Sequence, residues 1–200
     1  MSKRQSELLR FISKSGIIRP HEIVQQGWRR SELARLEANG SVSRIARGLY
    51  TVRTTDSQTE NHGLVQVAKR VPNGVVCLLS ALRFHNMTTQ LPHEVWLAIG
   101  NKARSPNVEY PPLHVVRFSG VALSEGIQTT VVEDVAIRIY SPAKTVVDCF
   151  RYRNKVGIDV AIEALRECKR KRLATIDEIW HIAQVCRIGK VIEPYLQVVE

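Results

Sequence analysis

Apolar positions in the first fifty residues recur at helical spacing in short stretches, which turn-forming residues separate. Leu8, Leu9, Phe11 and Ile12 share one face of a first helix, which Gly16 ends. The predicted elements are helices over residues 6–14, 20–26 and about 29–38, a short extended piece at 17–18, and strands over 41–45 and 49–52. This order of helix, short strand, helix, turn, helix and two-stranded hairpin is typical of the winged helix-turn-helix. In that fold the helix after the turn enters the DNA major groove.

The apolar residues of the second and third helices predict which of their faces are buried. We expect Ile23 and Val24 of the second helix to point inward, together with Leu33 and Leu36 of the third. Between the two strands, Gly48 can adopt the positive φ angle that a tight turn needs. Each short element therefore has a predicted buried side and a predicted end.

A polar stretch without apolar periodicity, TTDSQTE at residues 54–60, divides the chain into two parts. We predict a DNA-binding domain over residues 1–53, a linker over 54–60 and one domain of helices and strands over 61–200, so the fold class is α+β. The second domain is predicted to contain helices around 64–68, over 80–84, from Pro142, over 158–171 and over 175–186, an apolar run at 75–79, and strands over 95–99, 114–118 and 135–140.

The apolar residues and the cysteines limit where the protein acts and what it binds. No run of about 18 apolar residues could span a membrane, and the N-terminus lacks the apolar core of a signal peptide. We therefore expect a cytoplasmic protein without a membrane partner.

The cysteines lie far apart and form no CxxC pair, so we interpret them as buried thiols and expect neither a metal nor a cofactor. They are Cys77, Cys149, Cys168 and Cys186.

The positive charge is concentrated near the N-terminus. The whole chain has a formal net charge of +10. Residues 1–53 hold eleven Lys or Arg residues against four acids, which accounts for seven of those ten charges. Because a charge that merely keeps a protein in solution would be spread more evenly, this distribution favours a polyanion such as nucleic acid as the partner of the first domain.

The candidate DNA-binding residues follow from the predicted winged helix-turn-helix. Ser31 and Arg35 lie on the outer face of the third helix, and Arg29 and Arg30 lie at its N-terminal end, which reaches base edges in such proteins. Arginine side chains can grip guanine with two hydrogen bonds, and those that flank the turn between the strands suit phosphate. The predicted set is His21, Arg29, Arg30, Ser31, Arg35, Arg44 and Arg47. The alternative is a protein-interaction module with a solvated basic face.

Two further basic clusters lie in the second domain, and two interpretations of them stay open. They are either solvated helix ends or a surface for nucleic acid or a partner protein, for which Tyr152 between two arginines could provide base stacking. The candidate residues of this second basic surface are Arg151, Arg153, Lys169, Arg170, Lys171 and Arg172.

A nucleic-acid enzyme is the alternative function class. Glu167 and Lys169 form a minimal ExK pattern, with Asp148 and Asp159 upstream. However, the pattern lies on a predicted helix whose last turn is basic, an arrangement that the helix dipole explains. No nucleophile elbow, Cys–His pair or glycine-rich phosphate loop accompanies Ser80, His85 or His93. We therefore expect no catalysis.

Several blocks of the chain resemble a known family. The N-terminal segment with its IARGLY hairpin resembles the winged-helix domain of AbiEi-type antitoxins, which belong to type IV, abortive-infection toxin–antitoxin systems of phage defence. The resemblance continues through the blocks LLSALRFHNMTTQLPHEVWLAI, YPPLHVVRFSG, IYSPAKTVVDCFRYRNKVGIDVAIEALRE and IEPYLQ.

This resemblance implies a winged helix followed by a mixed α/β antitoxin domain. It implies a repressor of its own operon that binds double-stranded operator DNA with inverted repeats. It also implies an antitoxin that counteracts a nucleotidyltransferase-like toxin without forming a stable complex with it. Carried over by position, DNA reading falls on Arg29, Arg30, Ser31 and Arg35, and contact by the hairpin falls on residues 44 and 47. The alternative is an orphan winged-helix regulator without a toxin.

Overall fold

The computed structural model describes residues 3–52 and 60–199, which form two compact units. The first unit comprises Met1–Arg70 and Val131–Ala136, and the second comprises Val71–Thr130 and Ile137–Glu200. Helices and two sheets are both present, so the predicted mixed α+β class is confirmed. Residues 53–59, which include most of the predicted linker, lie outside the described residues.

The first unit has the predicted order of elements, with one helix added. The elements are α1 (Lys3–Ser15), β1 (Ile17–Ile18), α2 (Pro20–Gln25), α3 (Arg30–Ala38), β2 (Val42–Ala46), β3 (Leu49–Val52) and α4 (His62–Arg70). The strands form one antiparallel sheet in the order β1-β3-β2, in which Ile17 pairs with Thr51 and Val42 with Val52. Helix α4, which the sequence predicted as part of the second domain, lies in this unit.

A small apolar core joins α1, α2, α3 and the sheet. Its fully buried members include Leu8, Ile12, Ile23 and Leu36. The expectation that Val24 points inward is wrong, because 48% of this residue is exposed. Successive helix positions are rotated by about 100°, so a six-residue helix that buries Ile23 turns its neighbour toward solvent.

The second unit is built on a five-stranded sheet with the strand order β6-β5-β4-β8-β7. The end of β7 and the start of β8, within Val131–Ala136, belong to the first unit. Strands β5 and β6 are parallel, as are β4 and β8, whereas β4 and β5 are antiparallel. The strands are β4 (Val75–Val76), β5 (Val95–Gly100), β6 (Leu113–Phe118), β7 (Ile127–Val132) and β8 (Val135–Tyr140). The helices are α5 (Leu78–Phe84), α6 (Val121–Ser124), α7 (Pro142–Arg151), α8 (Arg153–Val156), α9 (Ile158–Arg170), α10 (Ile176–Val185) and α11 (Gly189–Val199).

Helix α7 is buried along almost its whole length, since residues 143–150 are all buried. It begins where the sequence predicted, at Ser141-Pro142, and the Ser141 Oγ accepts a hydrogen bond from the backbone N–H of Lys144 at 3.2 Å. Both Lys144 and Asp148 lie inside this buried segment. The two side chains form an ion pair, so the core of the second unit surrounds a helix that carries a buried pair of charges.

The four cysteines are reduced and buried, as the sequence predicted. Burial raises the pKa of the Cys77 and Cys149 thiols well above the ordinary value for cysteine. Within residues 3–52 and 60–199, no three His, Cys, Asp or Glu side chains are placed to hold a metal ion together.

Candidate nucleic-acid interface

Helix α3 has a buried face and an exposed face. Leu33 and Leu36 are buried against the first core. Arg30, Ser31 and Arg35 are exposed. From the helical rotation of about 100° per residue, positions 31 and 35 lie opposite the buried stripe, whereas position 30 lies to one side of it near the N-terminal end. The helix therefore presents a hydroxyl and a guanidinium directly outward.

The N-terminal end of α3 is held by a carboxylate. Arg29 is the residue before the helix, and its backbone N–H donates to Glu32 Oε2 at 2.7 Å. A glutamate at this third helical position satisfies an N–H that the helix leaves free and interacts favourably with the helix dipole. The exposed side chain of Arg29 is thus attached to a backbone whose position is fixed.

The hairpin of β2 and β3 carries the other two predicted arginines. Arg44 is exposed on β2, and its Nε donates to the backbone carbonyl of Ala46 at 3.3 Å, where the strand pairing is irregular. Arg47 is exposed in the turn beside Gly48, which has the predicted positive φ angle of 74°. A side chain at position 48 would be strained, so glycine allows the tight turn in which Arg47 lies.

His21 is also exposed, in the first turn of α2. All seven predicted DNA-binding residues therefore lie in the first unit with exposed side chains. Their DNA-binding role stays a prediction. Their exposure is the first requirement of such a role, since a side chain must be exposed to reach a base edge or a phosphate.

In the second unit, part of the charge of the second basic surface is already neutralised. Arg170 binds Glu167 through two hydrogen bonds of 2.9 and 2.6 Å, and Lys171 lies 3.1 Å from the same carboxylate. These bonds lower the pKa of Glu167 to about 2. Lys171 also donates to the backbone carbonyl of Asn86. This geometry favours the interpretation of residues 169–172 as a solvated helix end.

Two arginines at the junction of α7 and α8 bind backbone carbonyls: Arg151 is the last residue of α7, and Arg153 is the first of α8. Arg151 Nη1 donates to the carbonyl of Cys186 at 3.2 Å, and Arg153 Nη1 donates to that of Phe150 at 3.0 Å. Tyr152 lies between them, with its ring 5.3 Å from that of Phe118 and its hydroxyl donating to a backbone carbonyl at 3.2 Å. Because these groups cap helix ends and fill packing space, their contacts support the structural interpretation.

Three of the groups that the enzyme alternative named, Glu167, Ser80 and His85, have structural contacts. Glu167 lies on α9 and pairs with cations, as described above. Ser80 Oγ accepts a hydrogen bond from the backbone N–H of Trp96 at 2.9 Å. His85 Nε2 donates to the backbone carbonyl of Tyr140 at 2.8 Å. These contacts give each of the three side chains a structural role.

The sequence analysis missed four residues of the first unit that bind at the starts of α2 and α3. They are Glu22 with Lys69 at α2, and Glu32 with Arg4 at α3. The spacing Arg-x-x-Glu before each helix was an available signal for the two glutamates, because an acid at the third helical position often receives the preceding N–H. The cations come from distant helices, and sequence spacing gave no sign of them.

Residues 6–53 match a family model described as "Transcriptional regulator, AbiEi antitoxin". This match confirms the resemblance of the N-terminal segment to AbiEi antitoxins. No curated protein matches the sequence at a significant level. In the described part of the chain, every helix is too short or too polar to cross a membrane.

The solved structures that are similar to this chain include one that covers nearly its whole length. It is the crystal structure of the RV2827C protein from Mycobacterium tuberculosis, with a TM-score of 0.61 and 12% sequence identity. The similarity covers 91% of this chain and 70% of that chain. At this level of identity the comparison shows a shared fold alone.

Proposed function

We propose that this protein is a DNA-binding autorepressor and antitoxin of a type IV toxin–antitoxin system, which acts in the cytoplasm. In this proposal the first unit is a winged helix-turn-helix that reads an operator with inverted repeats. The observation that carries the proposal is the set of exposed arginines on α3 and the β2–β3 hairpin, inside the segment that matches the AbiEi family. An exposed basic helix with a basic hairpin beside it suits a DNA groove and its phosphates.

The electrostatics of the first unit support DNA as the partner. Arg30, Arg35 and Arg47 are exposed. In contrast, Glu22 and Glu32 already bind cations of the protein. The acids of this unit are therefore partly neutralised by internal contacts, which leaves the exposed arginines to set the local potential.

The DNA-binding part is tested by titrating the full-length protein with the DNA upstream of its own gene and with a scrambled duplex. Replacing Arg29, Arg30 and Arg35 together by Ala should abolish the preference for the upstream DNA. The matched control replaces Lys102, Arg104 and Arg166, three exposed cations of the second unit, and changes the net charge equally. Equal losses from the two triple variants would contradict a specific role for α3.

The antitoxin part rests on the family match and the resemblance. We expect the gene to lie beside one that encodes a nucleotidyltransferase-like toxin, and expression of this protein should restore growth when that toxin is induced. Co-purification of the two proteins should show no stable complex, because the proposed antitoxin opposes the toxin's effect. Repression without rescue would instead indicate an orphan regulator.

A further inference from the structure

Helices α2 and α3 begin with the same local arrangement. The N–H of the residue before each helix donates to a glutamate at the third helical position, from Arg19 to Glu22 at 2.6 Å and from Arg29 to Glu32 at 2.7 Å. Each glutamate thereby caps its own helix. One carboxylate oxygen is enough for such a cap, so each side chain can also bind a second donor.

Each of these glutamates also binds a cation from another helix of the first unit. Arg4 of α1 places Nε 2.8 Å from Glu32 Oε1, and its Nη2 donates to the carbonyl of Gly27 at 3.1 Å. Lys69 of α4 places Nζ 3.0 and 3.2 Å from the two carboxylate oxygens of Glu22. Helix α1 thus binds the turn and the start of α3, and helix α4 binds the start of α2.

The two contacts differ in how they can act. Arg4 joins the turn at Gly27 to the first turn of α3 by donating from two nitrogens of one planar group, Nη2 and Nε. A lysine ammonium has all its donors on one nitrogen and cannot reproduce this geometry. Its side chain is 59% exposed, whereas that of Lys69 is 14% exposed. The lysine contact is therefore less screened by solvent than that of the arginine.

We propose that Arg4 and Lys69 are positioning residues that set the angle between α2 and α3, and so decide how well α3 reads its operator. The inference rests on the proposed function, since it concerns the helix that would enter the DNA groove. Base readout needs hydrogen-bond geometry, whereas phosphate attraction tolerates displacement. A small rotation of α3 therefore lowers specificity before it lowers general affinity for DNA.

The competing role for Arg4 is direct contact with phosphate. The two roles differ in their salt dependence, because each phosphate contact adds about 0.9 to the slope of log K against log salt. A positioning residue leaves this slope unchanged and alters the ratio of operator affinity to scrambled-duplex affinity. Glu32 provides a second distinction, because removing an acid near DNA strengthens binding to any duplex if only net charge matters.

The experiment measures the binding of full-length protein to fluorescent operator and scrambled duplexes at several salt concentrations. The variants are Arg4→Gln, Arg4→Lys, Lys69→Met and Glu32→Met, with Arg47→Ala as the phosphate-contact control. We expect Arg4→Gln, Lys69→Met and Glu32→Met to lower the operator-to-scrambled ratio by about three- to tenfold with an unchanged salt slope. Arg4→Lys should fall between Arg4→Gln and the unsubstituted protein, because it keeps the positive charge near Glu32 and loses the second nitrogen, which reaches the Gly27 carbonyl.

Specific results would overturn the proposal. Equal losses on both duplexes with a slope reduced by about one would make Arg4 a phosphate contact. Tighter binding of Glu32→Met to both duplexes, or unchanged ratios in folded variants, would also refute the positioning role. If Arg4→Gln does not give a native circular-dichroism spectrum, the milder Arg4→Lys and the separate Lys69→Met decide the question. An unsubstituted protein without any operator preference would instead refute the proposed function.

Discussion

Lys144 Nζ lies 2.5 Å from Asp148 Oδ2, and both side chains are fully buried in the second unit. The ammonium group also lies 4.1 Å from the ring centre of Tyr140 and 4.8 Å from that of Phe118. Among the described residues, nothing hydrogen-bonds to the other carboxylate oxygen of Asp148. Burial raises the pKa of this carboxyl to about 6, although the lysine opposes the rise. Each charge therefore stabilises the other, and this attraction opposes the desolvation that disfavours both charges in the buried interior.

The first prediction is that this ion pair is strongly coupled. Lys144→Met should lower the free energy of unfolding by about 3–5 kcal/mol, because it leaves the Asp148 carboxylate buried without a counterion. The double variant Lys144→Met with Asp148→Leu should lose much less than the two single variants together. Urea unfolding of all four proteins gives the coupling energy. Additive losses would show that the two charges act independently.

The second prediction concerns the close approach of the backbone to Lys144. A Cβ atom added at Gly126 would lie 2.6 Å from the Lys144 Cβ, and the residue has a φ angle of 67°. Gly40 is the control, since its φ angle of 73° is similar and an added Cβ would meet nothing within 4 Å. We expect Gly126→Ala to destabilise the protein by about 1–3 kcal/mol more than Gly40→Ala in urea unfolding. Equal effects would show that the helix moves aside freely.

The third prediction is an acid-dependent loss of stability that His85 causes. Burial lowers the pKa of His85, so the folded protein favours the neutral ring, whose Nε2–H donates to the Tyr140 carbonyl. A histidine in the unfolded chain titrates near pH 6.5, and its stabilising contribution is therefore complete above that pH and declines as the pH falls below it.

Urea unfolding between pH 7.5 and about 5 measures this effect. His85→Gln, which keeps a side-chain N–H donor, should show a smaller loss of stability over this range than the unsubstituted protein. Asp148 has a raised pKa and contributes with the opposite sign, but it is common to both proteins and cancels in the comparison. Parallel pH profiles would contradict the assignment to His85.

The strength of the local pattern decides which elements the sequence could predict. Helices α3, α9 and α10 have clear apolar periods and were predicted within a few residues. Strand β7 was missed because it lies at the edge of the sheet, where Gln128 and Thr129 are exposed and leave little apolar alternation. Helix α11 was missed because it contains Pro194, which removes a backbone donor and normally ends a helix.

Long-range contacts explain the other failures. Lys144 and Asp148 have the spacing of four residues that is common for ion pairs on exposed helix faces, so their burial was not visible in the sequence. Lys69 and Glu22 are 47 positions apart and meet only because α4 packs in the first unit. By contrast, the exposure of Ser31 and Arg35 follows directly from the buried Leu33 and Leu36.

The fourth prediction is that Arg30 and Arg35 of α3 each read a base pair, in contrast to a residue that contacts only phosphate. Arg35 lies opposite the buried stripe and Arg30 lies at the N-terminal end, so both can reach base edges. Replacing either by Ala should cost about 1–3 kcal/mol on the operator and relax the preference at one base pair. Titrations against a panel of single-position operator variants test this. A uniform loss across the panel would reduce the residue concerned to a phosphate contact.

The fifth prediction concerns the hairpin. Arg47 is exposed in the turn beside Gly48, and we expect it to neutralise phosphate without reading sequence. Arg47→Ala should weaken binding to operator and scrambled duplexes by the same factor and lower the salt slope by about one. Arg44→Ala should act in the same direction with a smaller change, because Arg44 Nε already donates to the Ala46 carbonyl and a phosphate must compete with that bond.

Binding isotherms at four or more salt concentrations give each slope, and Arg166→Ala in the second unit is the matched control for the loss of one exposed positive charge. An Arg47→Ala slope equal to that of the Arg166→Ala control would show that the hairpin does not contact the DNA backbone.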